Sequence, residues 1–203
     1  MNDDLPLYHE GNRKLQDKFD SRRIADRLEQ VTLHDVFMPP DVEMIETAPM
    51  FFLATADAEG RPDVSYKGGL PGFVRVISED TLAFPAYVGN GMFKSFGNIL
   101  VNPSVGLLFI DFEDQNRMRV QGKATISDDD PLLAEFPGAQ LIIRVKAERI
   151  FPNCPRYIHK MKLLEHSVFA PAADHKPPVP GWKTMPVFKD YLPKKGPAAV
   201  DPH

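Results

Sequence analysis

Apolar and polar positions alternate most clearly between residues 140 and 151, where Leu141, Ile143 and Val145 stand against Arg144 and Lys146. A period of two puts these sets on opposite faces of an extended chain, so the pattern predicts a long strand over 140–151. Shorter runs read the same way. Residues 51–56 are an apolar run, Asp57 to Gly60 a turn, and 61–67 a partner strand, which together predict a hairpin. A second pair, 73–77 and 81–84, flanks Ser78, Glu79 and Asp80, and a longer hairpin joins 105–112 to 117–126. At least six strands with short turns and one inserted helix argue for a barrel rather than a βαβ sheet.

Helical spacing is confined to other parts of the chain. Leu15, Phe19, Ile24, Leu28 and Val31 keep an approximate helical period through a heavily charged segment, predicting one core-covering helix over 13–31. Asp41 is placed to cap a second, short helix that holds Val42, Met44 and Ile45 and ends at Pro49. Residues 92–100 predict the interior helix, stopped by Asn102-Pro103. Ile158, Met161, Leu164 and Val168 share one helical face, predicting a helix over 155–168. From Pro171 onward the tail is too rich in proline for regular structure and reads as an extended arm. Trp182 within it favours an arm that wraps a surface. The organisation expected is a helical segment over 1–48, a barrel over 49–154, and a helix with a proline-rich arm over 155–203, in a single domain.

Composition narrows the function. The chain has 203 residues, 43% of them hydrophobic, and a net charge of −4. That length sustains a core of its own. Lysine and arginine are scattered and outnumbered, which argues against a nucleic-acid partner. The longest apolar runs fall far short of the ~20 residues that cross a bilayer, so no membrane partner is expected. The acidic start, Met1 to Pro6, is unlike a leader peptide, and one cysteine permits no internal disulfide. The expected location is cytoplasmic. Cys154 is expected to be a small buried residue, and it does not have zinc spacing with His159 and His166. Asp128 to Asp130 read as a turn and cap, so no metal site is expected.

The chemistry concentrates between Phe84 and Asn98. An apolar strand runs into Pro85, then a Gly89-Asn90-Gly91 turn, then a helix with Lys94 and Ser95 in its first turn. Glycines free the backbone to aim N–H groups at one point, a helix start adds unpaired N–H groups and partial positive charge, and Lys94 adds a full charge. Together these predict a phosphate cradle. Phe93 precedes Lys94 where a nucleotide P-loop needs glycine, so the phosphate is not that of a P-loop nucleotide.

Residues 51–124 resemble the pyridoxamine 5′-phosphate oxidase-like flavoproteins, the FMN-binding split barrels. The resemblance is carried by the order and spacing of several pieces. These are Ser65-Tyr66-Lys67-Gly68, Phe84-Pro85, the helix up to Asn102-Pro103, Val105 to Phe109, and Arg117 to Gly122. With Gly-Asn-Gly-Met-Phe-Lys-Ser at 89–95 and Phe-Pro-Asn-Cys-Pro-Arg-Tyr-Ile at 151–158, the chain is similar to a bacterial branch of that superfamily. The resemblance implies a mainly β (α+β) fold, a six-stranded antiparallel split β-barrel with N-terminal helices, one inserted helix and an extended C-terminal arm. It implies a homodimer with FMN sites at the subunit interface and a small-molecule substrate.

It also implies roles. Ser65, Tyr66 and Lys67 would lie along the flavin, and the backbone of Phe84 and Pro85 would approach the polar edge of its ring. Asn90, Gly91, Lys94 and Ser95 would hold the phosphate, with Asn98 on the same helix among the cofactor-binding positions. Arg117 and Arg119 would add ring or phosphate contacts from a neighbouring strand. Some positions depart from the oxidases: Pro62 and Arg117 stand where they carry Arg and Gln, and their C-terminal Arg and His motif is not visible in the tail. The expected activity is an FMN-dependent oxidoreductase with no catalytic side chain singled out, since the flavin carries the chemistry. The alternatives are a non-catalytic flavin-binding or sensing protein, or the same barrel with a deazaflavin cofactor.

Overall fold

The computed structural model describes residues 6–175, 177–196 and 198–199; the acidic start on which the leader expectation rests, and the last residues of the arm, lie outside them. Seven antiparallel strands form one sheet, in the order β2-β1-β5-β6-β7-β4-β3. They are β1 (Met50–Ala56), β2 (Pro62–Gly68), β3 (Arg75–Ser78), β4 (Thr81–Tyr87), β5 (Ser104–Asp111), β6 (Asn116–Ser127) and β7 (Ala139–Pro152). The ladder is open, with β2 and β3 at its edges, so the barrel is split. The expected six strands are corrected to seven. Every apolar run becomes a strand, and the four-residue β3 joins by pairing with β4 alone.

Alternation places the core. On β1 the buried residues are Phe51, Leu53 and Thr55; Val105, Leu107 and Phe109 answer them on β5, and Met118 and Val120 on β6. Phe51 is the hub. It stacks on Phe109 at 5.2 Å and Phe73 at 5.9 Å and meets Phe84 edge-on at 5.0 Å. Each such pair adds ~1 kcal/mol beyond burial. β4 is buried on both faces, since Ala83 turns from the main core into a second cluster with Phe136 and Ile142. Pro85 sits in that strand without loss. It pairs with Ile142 of β7, while β3 on the other side reaches only Ala83, so no ladder bond needs the missing N–H.

The interior helix α4 runs over Lys94–Val101, on the side of β1 that carries the core. Asn98 fixes it there by donating to Thr55 Oγ1 at 3.0 Å, both residues buried.

The helices elsewhere depart from expectation. The single helix over 13–31 is two, α1 (Glu10–Lys18) and α2 (Arg22–Thr32). Asp20 between them is left-handed, φ 50°, a conformation a short polar side chain tolerates. Nor do these helices cover the core: Leu15, Phe19, Ile24, Leu28 and Val31 are about half exposed or more, and only Ala25 is buried. Helix α3 spans Pro39–Thr47. Asp41 lies inside it rather than at its cap, and its carboxylate accepts from the Met38 N–H at 2.8 Å and meets His34 Nε2 at 2.8 Å.

Residues 155–168 are not helical. Tyr157 is left-handed, φ 80°, and the segment is tied to the β5–β6 hairpin instead. The Met161 N–H donates to the Phe112 carbonyl, and Gln115 Nε2 donates to the Ile158 carbonyl. Cys154, expected to be buried, is exposed. Among the described residues the tail carries two short helical turns, Gly181–Thr184 and Pro186–Lys189, where Trp182 meets Phe188 edge-on at 5.8 Å. The Asp128 to Asp130 segment behaves as expected: Asp130 accepts from Leu132 N–H and caps a 3-10 turn over Pro131–Glu135, and its carboxylate takes a two-pronged bond from Arg144.

Candidate functional site

Edge strand β2 carries Asp63, Ser65 and Lys67 on one face by its period of two, and α4 brings Ser95 against them. The hydroxyls of Ser65 and Ser95 are 2.9 Å apart. Lys67 Nζ and Asp63 Oδ2 each lie at a longer 3.5 Å from Ser95 Oγ. The Lys67 ammonium also stands 4.6 Å over the ring of Phe96. Burial pulls its pKa below the usual 10.5, and the Asp63 carboxylate only partly offsets this. A half-buried ammonium so placed gains by meeting an anion.

These residues wall a cleft of about 690 Å³. The cleft opens where β3 stops short, so that Pro85, Ala86 and Tyr87 at the end of β4 form its far side. The 89–93 loop forms its rim. Gly91 has φ +81°, while Gly89 needs no positive φ. Asn90 Oδ1 accepts from the Met92 N–H at 3.0 Å. Phe93 enters α4 in the left-handed region, φ 48°, with no side chain capping the helix start. The strain of a left-handed aromatic residue thus falls where the first N–H groups of α4 are left open. Lys94 is exposed and, among the described residues, has no ion-pair or hydrogen-bond partner. Among the described residues, the charged groups lining the cleft are Lys67, Lys94 and Lys195 against Asp63, an excess of positive charge.

A bulge adds one more polar group. β4 and β7 pair Ala86 with Leu141 but Tyr87 with Ala139, so Gln140 is the extra residue, and it lines the cleft. Bulges beside clefts re-aim a side chain in this way.

The family model described as pyridoxamine 5′-phosphate oxidase matches residues 40–164, more than half of the chain. The chain belongs to the pyridoxamine 5′-phosphate oxidase family. Among curated proteins none matches it significantly. Solved structures similar to it include HupZ of Group A Streptococcus, at 19% identity, TM-score 0.47, over 62% of this chain and 99% of that one. HutZ of Vibrio cholerae, described as a haem storage protein, is 21% identical, TM-score 0.42, over 56% of this chain and 92% of that one. An FMN-binding protein of Syntrophomonas wolfei is 13% identical, TM-score 0.39, over 71% of this chain and 96% of that one.

The positions singled out from the family pattern divide in two. Ser65, Tyr66, Lys67, Pro85, Asn90, Gly91, Lys94 and Ser95 all line the cleft. Phe84 and Asn98 do not: Phe84 packs edge-on to Phe51 in the aromatic core, and Asn98 is bonded to Thr55. Arg117 and Arg119 lie on the outer face of the sheet, paired across β5 with Ile110 and Leu108, and do not reach the cleft of their own chain. Asp63, Phe73, Phe96, Gln140 and Lys195 line the cleft without having been singled out. Asp63 was readable, since it shares the parity of Ser65 and Lys67. No signal in the sequence marked Gln140 or Lys195.

Proposed function

We propose that this member of the pyridoxamine 5′-phosphate oxidase family binds FMN in the cleft at the start of α4 and acts as an oxidoreductase on a small molecule. The observation that carries the reading is the group of two hydroxyls, two lysines and an uncapped helix start on one wall of a cleft large enough for a cofactor. Ser95 and Ser65 offer hydroxyl donors, Lys67 and Lys94 offer charge, and the helix adds N–H groups, which together suit a phosphate dianion. Asp63 opposes an anion and is outweighed by the lysines. Tyr66, Phe73, Tyr87 and Phe96 supply aromatic wall for a planar ring, and Gln140 a polar contact.

Bound there, FMN would supply hydride or electron transfer. The chain's part is binding, orientation and charge. Lys67 is the group placed to favour negative charge in the cleft, and no side chain needs to act as a general acid or base. No histidine or cysteine lines this cleft among the described residues, which disfavours a haem held there by such a ligand. The outer sheet face, with Arg117 and Arg119, supports a homodimer in which those arginines serve the partner's cleft.

The test is FMN binding. The purified protein, incubated with FMN and desalted, is expected to keep a two-banded visible flavin spectrum. Lys94→Glu is expected to weaken FMN by about a hundredfold, because it turns an attraction into a repulsion, with the circular dichroism unchanged. A colourless wild-type protein, or an unchanged dissociation constant in the variant, rejects the phosphate assignment.

A further inference from the structure

The far end of the proline-rich arm comes back to the cleft. Pro193, Lys195, Gly196 and Ala198 line it together with Tyr87, the 89–93 loop and the start of α4. The chain turns there: Gly196 has φ +80°, and the Ala199 N–H donates to the Gly196 carbonyl at 3.0 Å. Side chains other than glycine are strained in that region, so the sequence specifies the turn.

Ordering an extended segment costs conformational entropy, so its place on the cleft needs a fastening. Lys183 supplies one. It lies in the helical turn over Gly181–Thr184 and keeps only 7% of its surface exposed. Lysine is rarely so buried, since its ammonium must then find an acceptor within the protein. The Lys183 ammonium donates to the Ala198 carbonyl at 3.1 Å and stands 6.0 Å from the Trp182 ring. The turn that carries it is itself held, because the Lys183 N–H donates to the Pro180 carbonyl and the Thr184 hydroxyl to the Gly181 carbonyl. A charge-assisted bond from a fixed turn thus ties down the end of the arm.

The tie places Lys195, whose side chain is exposed, on a cleft that Lys67 and Lys94 already line. An ammonium from a separate segment of chain adds to the attraction for an anion and gives it a partner that leaves only if the arm leaves.

We propose that the end of the arm is part of the first cleft's binding site: Lys195 helps to hold the anion bound there, and Lys183 is the positioning residue that keeps the arm's end in place. Naming the anion as FMN rests on the reading given above; the docking of the arm does not.

The experiment compares the wild type with Lys183→Met and Lys195→Glu. Methionine keeps the length and the apolar stem of Lys183 and removes its donor, so the packing of the tail is retained. The first measurement is hydroxyl-radical footprinting of the ligand-free proteins, read residue by residue by mass spectrometry. In Lys183→Met, oxidation is expected to rise at Trp182 and also at Tyr87 and Phe93 in the cleft. The second is FMN release and affinity, followed by flavin fluorescence. Lys183→Met is expected to release FMN about tenfold faster, and Lys195→Glu to bind it about tenfold more weakly. The proposal is overturned if Trp182 becomes exposed in Lys183→Met while Tyr87 and Phe93 do not, if none of the three changes, or if both variants hold FMN as the wild type does. If the wild type fails to bind FMN while Lys183→Met uncovers Tyr87 and Phe93, the docking of the arm stands and the FMN reading falls.

Discussion

At the scale of single residues, Lys67 is where environment changes chemistry most. Its ammonium is partly buried, faces Phe96 and Ser95, and has its pKa drawn down by burial. Between that lowered value and the usual 10.5, the folded protein gives up the proton while the unfolded chain keeps it. The unfolded state then binds more protons, so stability of the ligand-free protein rises with pH across this window. Anion affinity runs the other way, because the charge that attracts the phosphate is being lost. FMN titrations from neutral to alkaline pH are therefore expected to show affinity falling before the ordinary lysine range is reached. Lys67→Met is expected to bind FMN about tenfold more weakly at neutral pH and to lack that alkaline fall. A wild-type and a variant with parallel pH profiles would remove Lys67 from the site. Lys67 and Ser65 were legible in the sequence because period two fixes which side chains share a face of β2. The lowered pKa was not, since it depends on Phe96 and Ser95 arriving from a helix some thirty positions away.

At the scale of elements, apolar runs and hairpin turns marked where the strands lie, although six were expected and seven form the sheet, whereas register irregularities were invisible. β6 and β7 pair Gln121 with Arg149 but Gly122 with Ala147, leaving Glu148 as the extra residue. There the strands approach so closely that a Cβ on Gly122 would lie 2.0 Å from the Lys146 carbonyl oxygen. Backbone, unlike the end of a side chain, cannot move aside cheaply. Gly122→Ala is expected to cost on the order of 3 kcal/mol, lowering the melting temperature by roughly 6–12 °C for a chain of this size. Gly97 in α4 gives the contrast: a Cβ there meets nothing within 4 Å, so Gly97→Ala is expected to stabilise by roughly 0.5–1 kcal/mol. Thermal melts of both variants check the pair, and two losses of similar size would contradict the account. The bulge that turns Gln140 into the cleft belongs to the same class of feature. Alternation states which face a residue takes in a regular ladder, and a bulge changes that face without leaving a mark in composition. Helical periodicity misled in two places for a related reason. A period in 155–168 says nothing of the bonds that the Phe112 carbonyl and the Gln115 side-chain amide offer instead, and the period in 13–31 does not reveal the left-handed Asp20 that divides it.

At the scale of the whole molecule, the two faces of the sheet are unequal in a way one chain does not explain. The inner face closes on the aromatic core. The outer face presents cross-strand rows that are largely apolar: Tyr66, Phe52 and Leu108 ending at Arg119, and Val64, Ala54 and Gly106 ending at Gln121. Val64 is 66% exposed, and Ala54 is exposed at the centre of the second row. Together with the exposed apolar residues of α1 and α2, these rows leave apolar side chains facing water, and contiguous surface of that kind marks interaction sites. A second copy laid on the outer face would cover it and would bring in Arg117 and Arg119, which their own cleft does not use. The resemblance implied a dimer; the pattern of a single chain does not say which face one would use. Ala54→Arg tests that face with little cost to the subunit, because the new side chain has solvent on its own side of the sheet. Sedimentation equilibrium is expected to give the dimer for the wild type and the 22.8 kDa monomer for Ala54→Arg, with an unchanged far-UV spectrum. If the arginines complete the partner's site, FMN affinity falls in the same variant, whereas a monomer that keeps full FMN affinity would show that one chain builds the whole site. A variant that remains dimeric would move the interface away from the outer face of the sheet.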